Sequence, residues 1–166
     1  MSLWLSESEW QEAERNLPIL CVDVMPLRLD KDHSKIQIGL ILRETPHQGR
    51  RWCLIGGRVL RGEILFKAIQ RQWIDALGES LPFGEVINNF PQIVEYRPDA
   101  LPGRPHDPRK HAVSATYEFW TDGEGHPQGE EAIDFKWFEF ATLNGDFVGF
   151  GQEIVIQRLI ALVVAP

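Results

Sequence analysis

The stretch that most constrains the fold of this chain covers residues 56–79 and reads GGRVLRGEILFKAIQRQWIDALGE. It begins with Gly56 and Gly57, which have no Cβ and so let the backbone come close to a ligand or a metal ion. Apolar residues then recur at helical spacing, which predicts a helix over 64–77. Gly78 suits the C-terminal cap of that helix. The stretch therefore predicts a loop that can contact a ligand, followed at once by an amphipathic helix.

One face of this helix has the spacing expected of a metal-binding helix. Gln72, Asp75 and Ala76 stand at positions i, i+3 and i+4, so they share that face. Carboxylates at this spacing can hold Mg²⁺ beside a bound diphosphate. Only Asp75 of the three carries a carboxylate. Arg71 stands four residues before Asp75 and can pair with it.

The remaining pattern predicts an α+β fold, in which helices pack on the faces of a mixed sheet. A short N-terminal helix begins with a capping box formed by Ser6 and Glu9. Apolar runs bounded by turn residues predict the strands, and the first two strands form a hairpin. Strands are expected over 19–29, 36–43, 51–56, 85–97 (broken), 112–120 and 132–140, and a C-terminal helix over 152–164.

Composition narrows the classes of function that this chain can have. Its 166 residues suit a single domain, 1–166. A net charge of −7 argues against general nucleic-acid binding, which needs basic surface, so an anionic ligand needs a local cluster of arginines. No apolar run is long enough to cross a membrane, and no signal peptide is recognised. Cys21 and Cys53 lie in apolar runs typical of buried free thiols. We therefore expect a cytoplasmic protein with a small-molecule partner, and neither nucleic acid nor membrane.

The helix and its loop resemble the signature box of the Nudix superfamily, whose full form is G-x5-E-x7-R-E-U-x-E-E-x-G-U with U an aliphatic residue. Asp75 stands in for one glutamate of that box, whereas Gln72 and Ala76 replace two others. The resemblance extends over nearly the whole chain and implies a Nudix-type α/β/α sandwich with a mixed β-sheet. The box residues that are kept are Gly57, Glu63, Arg71 and Gly78. Glu63 and Arg71 are interpreted first as a structural pair that braces the loop.

Within that superfamily the chain most resembles the GDP-mannose mannosyl hydrolases. That branch has an aspartate on its first strand, an arginine at the end of the second strand, and another directly after the double glycine. The matching residues here are Asp23, Arg43 and Arg58. The resemblance implies that Arg43 and Arg58 contact a diphosphate, that Asp23 lies near the substrate, and that the Gly56 carbonyl is a ligand of Mg²⁺.

The same resemblance implies a weakened site for Mg²⁺ or Mn²⁺. The glutamate that this branch keeps for the metal falls at Ala76, and a methyl group cannot bind a metal ion. Gly56, Asp75 and Glu131 are the expected metal ligands. The branch's catalytic histidine has no direct counterpart here, so Glu131 and His126 are the candidates for the general base.

A loop over 97–111 contains six cationic or histidine residues. One interpretation is a solvated, mobile loop, and the other is a lid that brings cations to an anionic nucleotide. His111 adjoins the following strand and is the histidine of this loop that we expect to bind substrate.

Three hypotheses follow for the function. The first is a Mg²⁺-dependent Nudix hydrolase that acts on a nucleoside diphosphate linked to another group, such as the nucleotide sugar GDP-mannose. The second is a catalytically impaired Nudix-fold protein that binds a nucleotide or nucleotide sugar without hydrolysing it. The third is a dimeric interaction module with a vestigial pocket. We also expect a homodimer, with the N-terminal helix in 1–17 as a possible contact.

Overall fold

A computed structural model describes residues 5–163 and confirms the α+β architecture. The predicted ends at residues 1–4 and 164–166 lie outside the described residues. In chain order the elements are α1 (Glu7–Asn16), β1 (Ile19–Leu29), β2 (Ile36–Thr45), β3 (Gly49–Cys53), β4 (Ile55–Arg58), α2 (Leu65–Leu77), β5 (Glu85–Val86), β6 (Gln92–Tyr96), β7 (Ala112–Trp120), β8 (Asp134–Glu139) and α3 (Gln152–Val163), with a 3₁₀ turn at Phe140–Thr142.

Strand β1 lies at the centre of a mixed sheet. It pairs in parallel with β7 along nearly its whole length, and it pairs antiparallel with β4 and then with β2. Strands β3 and β8 extend the sheet from β2, whereas β5 and β6 pair with β7. This register places Gly56 of β4 directly opposite Asp23 of β1.

Helices α2 and α3 cover opposite faces of the sheet, which gives the expected α/β/α sandwich. One core layer joins Val22 and Val24 of β1 to the buried face of α2, including Trp73 and Ala76. The other layer joins later residues of β1 and β2 to the buried face of α3. A central strand that is covered on both faces needs apolar side chains in both directions. That need explains the nearly continuous apolar run ILCVDVMPL in β1.

The predicted helix termini are also observed. The Ser6–Glu9 capping box is present at the start of α1. Gly78 ends α2 with a φ of 58°, a positive value that glycine adopts without a steric cost. None of the ten residues of α1 is buried, so this helix lies on the surface of the domain. The expected homodimer contact through α1 stays a prediction.

The two cysteines are buried free thiols, as expected. Burial raises the pKa of both Cys21 and Cys53 to about 12. Within residues 5–163, no helix combines the length and the apolar character needed to cross a membrane.

Candidate functional site

A pocket opens where β1 and β4 meet the start of α3 and the end of the 97–111 loop. It encloses about 500 Å³ including its open mouth. Its buried polar lining residues are Asp23, Tyr96, Asp107 and Gln152, and its cations are Arg43, Arg109 and Lys110. Gly56 and Gly57 form part of the wall. The pocket therefore combines two buried carboxylates with three cationic side chains.

Asp23 lies at the inner end of this pocket, with 7% of its surface exposed. Burial raises its pKa, against the lowering effects of Ser114, of the hydrogen bond from Tyr96, and of the charges on Arg43 and Lys110. The Ser114 hydroxyl makes no hydrogen bond of good geometry within the described chain, so the 3.1 Å bond from Tyr96 to Oδ2 is the firm contact. Asp23 lines the pocket, and its expected position near a substrate stays a prediction.

A series of hydrogen bonds behind Asp23 was not predicted from the sequence. The Leu54 N–H donates to Gln152 Oε1 at 2.9 Å, and Gln152 Nε2 donates to the Tyr96 hydroxyl at 3.2 Å. Tyr96 and Gln152 are both about 5% exposed. Neither residue belongs to a recognisable motif. The one available signal was a glutamine at the start of an otherwise apolar helical pattern.

The two glycines of the loop are each in close contact with another part of the protein. A Cβ on Gly56 would collide with Asp23 Oδ1 and with the Val22 carbonyl oxygen. A Cβ on Gly57 would come within 2.6–2.9 Å of the Gln72 side-chain amide. Gln72 therefore lies against the backbone of Gly57, and the close backbone approach that was predicted here is made to the protein's own side chains.

Glu63 and Arg71 form the predicted brace for the loop. Arg71 Nε and Nη2 donate to the two oxygens of Glu63 at 2.9 and 2.8 Å. Glu63 also accepts from the Leu60 N–H, and Arg71 Nη2 donates to the Arg58 carbonyl. The hydrogen bond from Arg71 lowers the pKa of Glu63. This pair fixes the loop between β4 and α2 in one shape.

The two arginines expected at a diphosphate are placed differently. Arg43 lines the pocket, and its Nη2 lies 3.0 Å from Glu131 Oε2. The Arg58 guanidinium instead lies 4.1 Å from the centre of the Trp10 ring in α1, and Arg58 does not line the pocket. The structure thus brings Arg43 to Asp23, and it directs Arg58 towards α1.

A family model described as "Domain of unknown function (DUF4916)" matches residues 1–163 of the chain. The chain belongs to this family. None of the curated proteins matches the sequence.

Solved structures show that this DUF4916 chain has a Nudix fold. A possible asymmetric diadenosine tetraphosphate (Ap4A) hydrolase from Jonesia denitrificans is 28% identical, with a TM-score of 0.73 over 88% of this chain and 94% of that chain. The NUDIX domain of Shewanella oneidensis NrtR, complexed with ADP ribose, is 18% identical, with a TM-score of 0.66 over 96% and 100%.

A third similar structure contains a metal ion. It is a bifunctional NMN adenylyltransferase/ADP ribose pyrophosphatase from Francisella tularensis with AMP and Mn, and it is 16% identical with a TM-score of 0.67 over 94% of this chain and 45% of that chain. The three structures confirm the Nudix fold inferred from the box. None of their names mentions GDP-mannose, so the resemblance to that branch stays a prediction.

The DUF4916 chain does not assemble a Nudix metal centre from the residues expected to form one. Asp75 Oδ2 lies 3.8 Å from Arg71 Nη1, and Glu131 is paired with Arg43. Ala76 is 2% exposed in the core layer under α2, and its carbonyl accepts from the Gln128 N–H. Across residues 5–163, no three His, Cys, Asp or Glu side chains form a group that could hold a metal ion. These residues do not fit the carboxylate-bound metal of a complete box.

The two histidine candidates bond to groups that do not line the pocket. The His126 N–H donates to Ser80 Oγ at 2.8 Å and its carbonyl accepts from the same hydroxyl, which holds its loop against the end of α2. His111 Nε2 lies 2.9 Å from Glu95 Oε1. Neither histidine lines the pocket, and their predicted roles as base and substrate ligand remain untested.

The end of the 97–111 loop does reach the pocket, as the lid interpretation proposed. Asp107, Arg109 and Lys110 line it. Arg109 binds the buried Asp107 through two side-chain bonds of 2.9 and 2.7 Å. Lys110 Nζ lies 3.8 Å from Glu14 in α1. This part of the loop therefore brings two cations to the pocket.

Proposed function

We propose that this protein binds a nucleoside diphosphate linked to a second group, such as a nucleotide sugar, without hydrolysing it by a metal-dependent route. The observation that carries the proposal is the pocket itself. It collects Arg43, Arg109 and Lys110 around the glycine loop, whereas the carboxylates expected to hold a metal, Glu131 and Asp75, are each paired with an arginine.

The cations of the pocket suit a diphosphate. Arginine offers planar pairs of donors that match phosphate oxygens, and such charge-assisted bonds are stronger than neutral ones. Asp107 and Glu131 hold two of the arginine side chains in place. The names of two relatives in the fold comparison mention Ap4A and ADP ribose. Both compounds are nucleoside phosphates linked to a second group, which supports this ligand class.

The second candidate is the Mg²⁺- or Mn²⁺-dependent hydrolase. The observation in its favour is the retained scaffold, because Gly57, Glu63 and Arg71 keep the loop and helix in their paired arrangement. Glu131 would then leave Arg43 and join Gly56 and Asp75 at the metal. The Mn ion in one relative supports a metal for Nudix folds of this class.

One experiment separates the two candidates. The purified protein is titrated calorimetrically with ADP-ribose, Ap4A, GDP-mannose and ATP, and the same mixtures with Mg²⁺ or Mn²⁺ are assayed by chromatography for product. Saturable binding with no product supports the binding protein. Turnover that Glu131→Gln abolishes supports the hydrolase and overturns the first proposal.

Matched variants show whether binding occurs in this pocket. Lys110→Met removes a pocket cation and should weaken binding about tenfold or more, since a hydrogen bond to a charged group contributes about 1.5–3 kcal/mol. Lys67→Met removes an exposed cation on α2, outside the pocket, and should leave binding unchanged. Equal effects of the two variants would place the ligand elsewhere.

A further inference from the structure

The direction of every hydrogen bond behind Asp23 is fixed by the chemistry of its partners. The Leu54 N–H can only donate, so the Gln152 side chain must present Oε1 to it. The other end of that amide, Nε2, then donates to the Tyr96 hydroxyl oxygen. A hydroxyl has one proton, and the Tyr96 proton is therefore directed to Asp23 Oδ2. A backbone amide thus sets the orientation of three side chains in sequence.

These hydrogen bonds hold the Asp23 carboxylate in one orientation, as an acceptor. Oδ2 is engaged by Tyr96, and Oδ1 lies against Gly56 in the glycine wall of the pocket. Because an ionised carboxylate can only accept and the Tyr96 hydroxyl directs its one proton to Oδ2, Asp23 is the acceptor of this contact. A ligand that reaches this end of the pocket meets an oxygen acceptor.

The pocket has two chemically different ends. Asp23, Tyr96 and Gln152 are 5–7% exposed and form its inner end. The side chains of Arg43, Arg109 and Lys110 are 25%, 36% and 13% exposed and form its outer end, where a second buried carboxylate, Asp107, is bound to Arg109. A phosphate is attracted to the outer end, and the Asp23 carboxylate repels it from the inner end.

We infer that Asp23 is a specificity-determining residue that accepts a hydrogen bond from an N–H or O–H of the base or sugar, and that Tyr96 and Gln152 are its positioning residues. This inference rests on the proposed function and assigns the ligand an orientation within the same pocket. The uncharged part of the ligand occupies the inner end, and its diphosphate occupies the outer end.

The fixed orientation makes Asp23→Asn a test of polarity. The introduced amide must turn its oxygen to Tyr96, because Tyr96 donates. Its NH₂ group then takes the place of Oδ1, and the acceptor at the inner end becomes a donor. In Asp23→Asn/Tyr96→Phe the amide is free to turn back and present its oxygen to the ligand. The double variant should therefore bind more tightly than Asp23→Asn alone.

Calorimetric titration with ADP-ribose, GDP-mannose and inorganic pyrophosphate tests this inference. We expect Asp23→Asn to lower the affinity for whichever of ADP-ribose and GDP-mannose binds more tightly by about 10- to 100-fold. The affinity of Asp23→Asn for pyrophosphate, which has no base or sugar, should differ from that of wild type by less than about threefold, or should be higher. The double variant should recover part of the lost affinity. Thermal unfolding of each variant without ligand confirms that the fold is retained.

Each outcome has a distinct meaning. If Asp23→Asn weakens pyrophosphate as much as the nucleotides, or if Tyr96→Phe recovers no affinity in the double variant, the inference is wrong while nucleotide binding stands. If the wild-type protein binds neither ADP-ribose nor GDP-mannose, the proposed function fails and the inference fails with it.

Discussion

Gly56 lies directly opposite Asp23 on the neighbouring antiparallel strand, so close that a Cβ on Gly56 would collide with Asp23 Oδ1. The first glycine of the loop and the buried carboxylate of β1 therefore form one local arrangement. β4 leads into the loop and α2. The Gly56 backbone, which the resemblance expects to bind a metal ion, is therefore packed here against the Asp23 carboxylate that lines the pocket.

Gly56→Ala should destabilise the protein and distort the pocket together. The added methyl group meets backbone and carboxylate atoms that cannot move aside easily, and overpacking of this kind costs about 1–3 kcal/mol. Urea unfolding measures the loss of stability, and calorimetric titration measures the loss of ligand affinity. Gly145→Ala is the matched control, because its nearest contact is the flexible end of Glu153 at 3.2 Å. Equal stability of the two variants would contradict the close packing of Gly56 on Asp23.

Arg71→Met should destabilise the fold by about 1–3 kcal/mol at neutral pH, because it removes charge-assisted bonds to a largely buried Glu63. The pKa of Glu63 is lowered in the folded state, so its contribution is present above the unfolded pKa and is lost as the pH falls through the folded pKa. The difference between Arg71→Met and wild type should therefore shrink on acidification in urea-unfolding experiments.

Arg50→Met is the control for the effect of Arg71→Met on stability. Arg50 pairs with Glu44, and both side chains are about two-thirds exposed. Exposed ion pairs contribute less than about 1 kcal/mol, so this variant should stay close to wild type. A pH-independent effect of Arg71→Met would show that packing, and not the ion pair with Glu63, explains the loss.

The sequence determined the elements well because their signals are local. Helical spacing and Gly78 located α2 to within one residue, and the apolar run of β1 reflected a strand covered on both faces. The Glu63–Arg71 pair followed from the box. Asp23 and Arg43, which the resemblance implied at the substrate, both line the pocket, and their roles stay predictions.

The rest of the site depends on contacts between distant segments. Tyr96 and Gln152 are 56 residues apart in sequence, and they meet only because the end of β6, beside β7 in the sheet, lies close to the start of α3. Arg58 follows the glycines as the resemblance requires, but a surface helix supplies Trp10 as its neighbour. Neither arrangement has a spacing that sequence could reveal.

Glu118→Gln should change how stability depends on pH. Glu118 is 1% exposed on β7, both of its carboxylate oxygens lack a hydrogen-bond partner within the described chain, and burial raises its pKa. The folded state therefore holds this proton more tightly than the unfolded chain. Its contribution to stability is present below the unfolded pKa and is lost as the pH rises through the folded pKa.

The expected result is a difference in slope. Between pH 5 and pH 8, wild type should lose stability relative to Glu118→Gln by about 1.4 kcal/mol for each unit of pKa shift. Urea unfolding across this range measures the difference, and Glu79→Gln at an exposed position provides the control. A constant difference between wild type and Glu118→Gln would show that the carboxylate finds a partner that stabilises its charge.

Ala76→Glu tests whether the site lacks only one carboxylate. The position is 2% exposed in the core layer under α2, so an added glutamate must enter apolar packing and should cost about 2–4 kcal/mol. Thermal unfolding with and without Mg²⁺ measures this loss, and Ala161→Glu on the exposed face of α3 is the control. We expect Mg²⁺ to leave the Tm of Ala76→Glu unchanged, because Asp75 and Glu131 are engaged by Arg71 and Arg43. A Tm raised by Mg²⁺ in Ala76→Glu but not in Ala161→Glu would mean that the loop over 128–132 moves away from α2 and that a metal site forms there, which would favour the hydrolase.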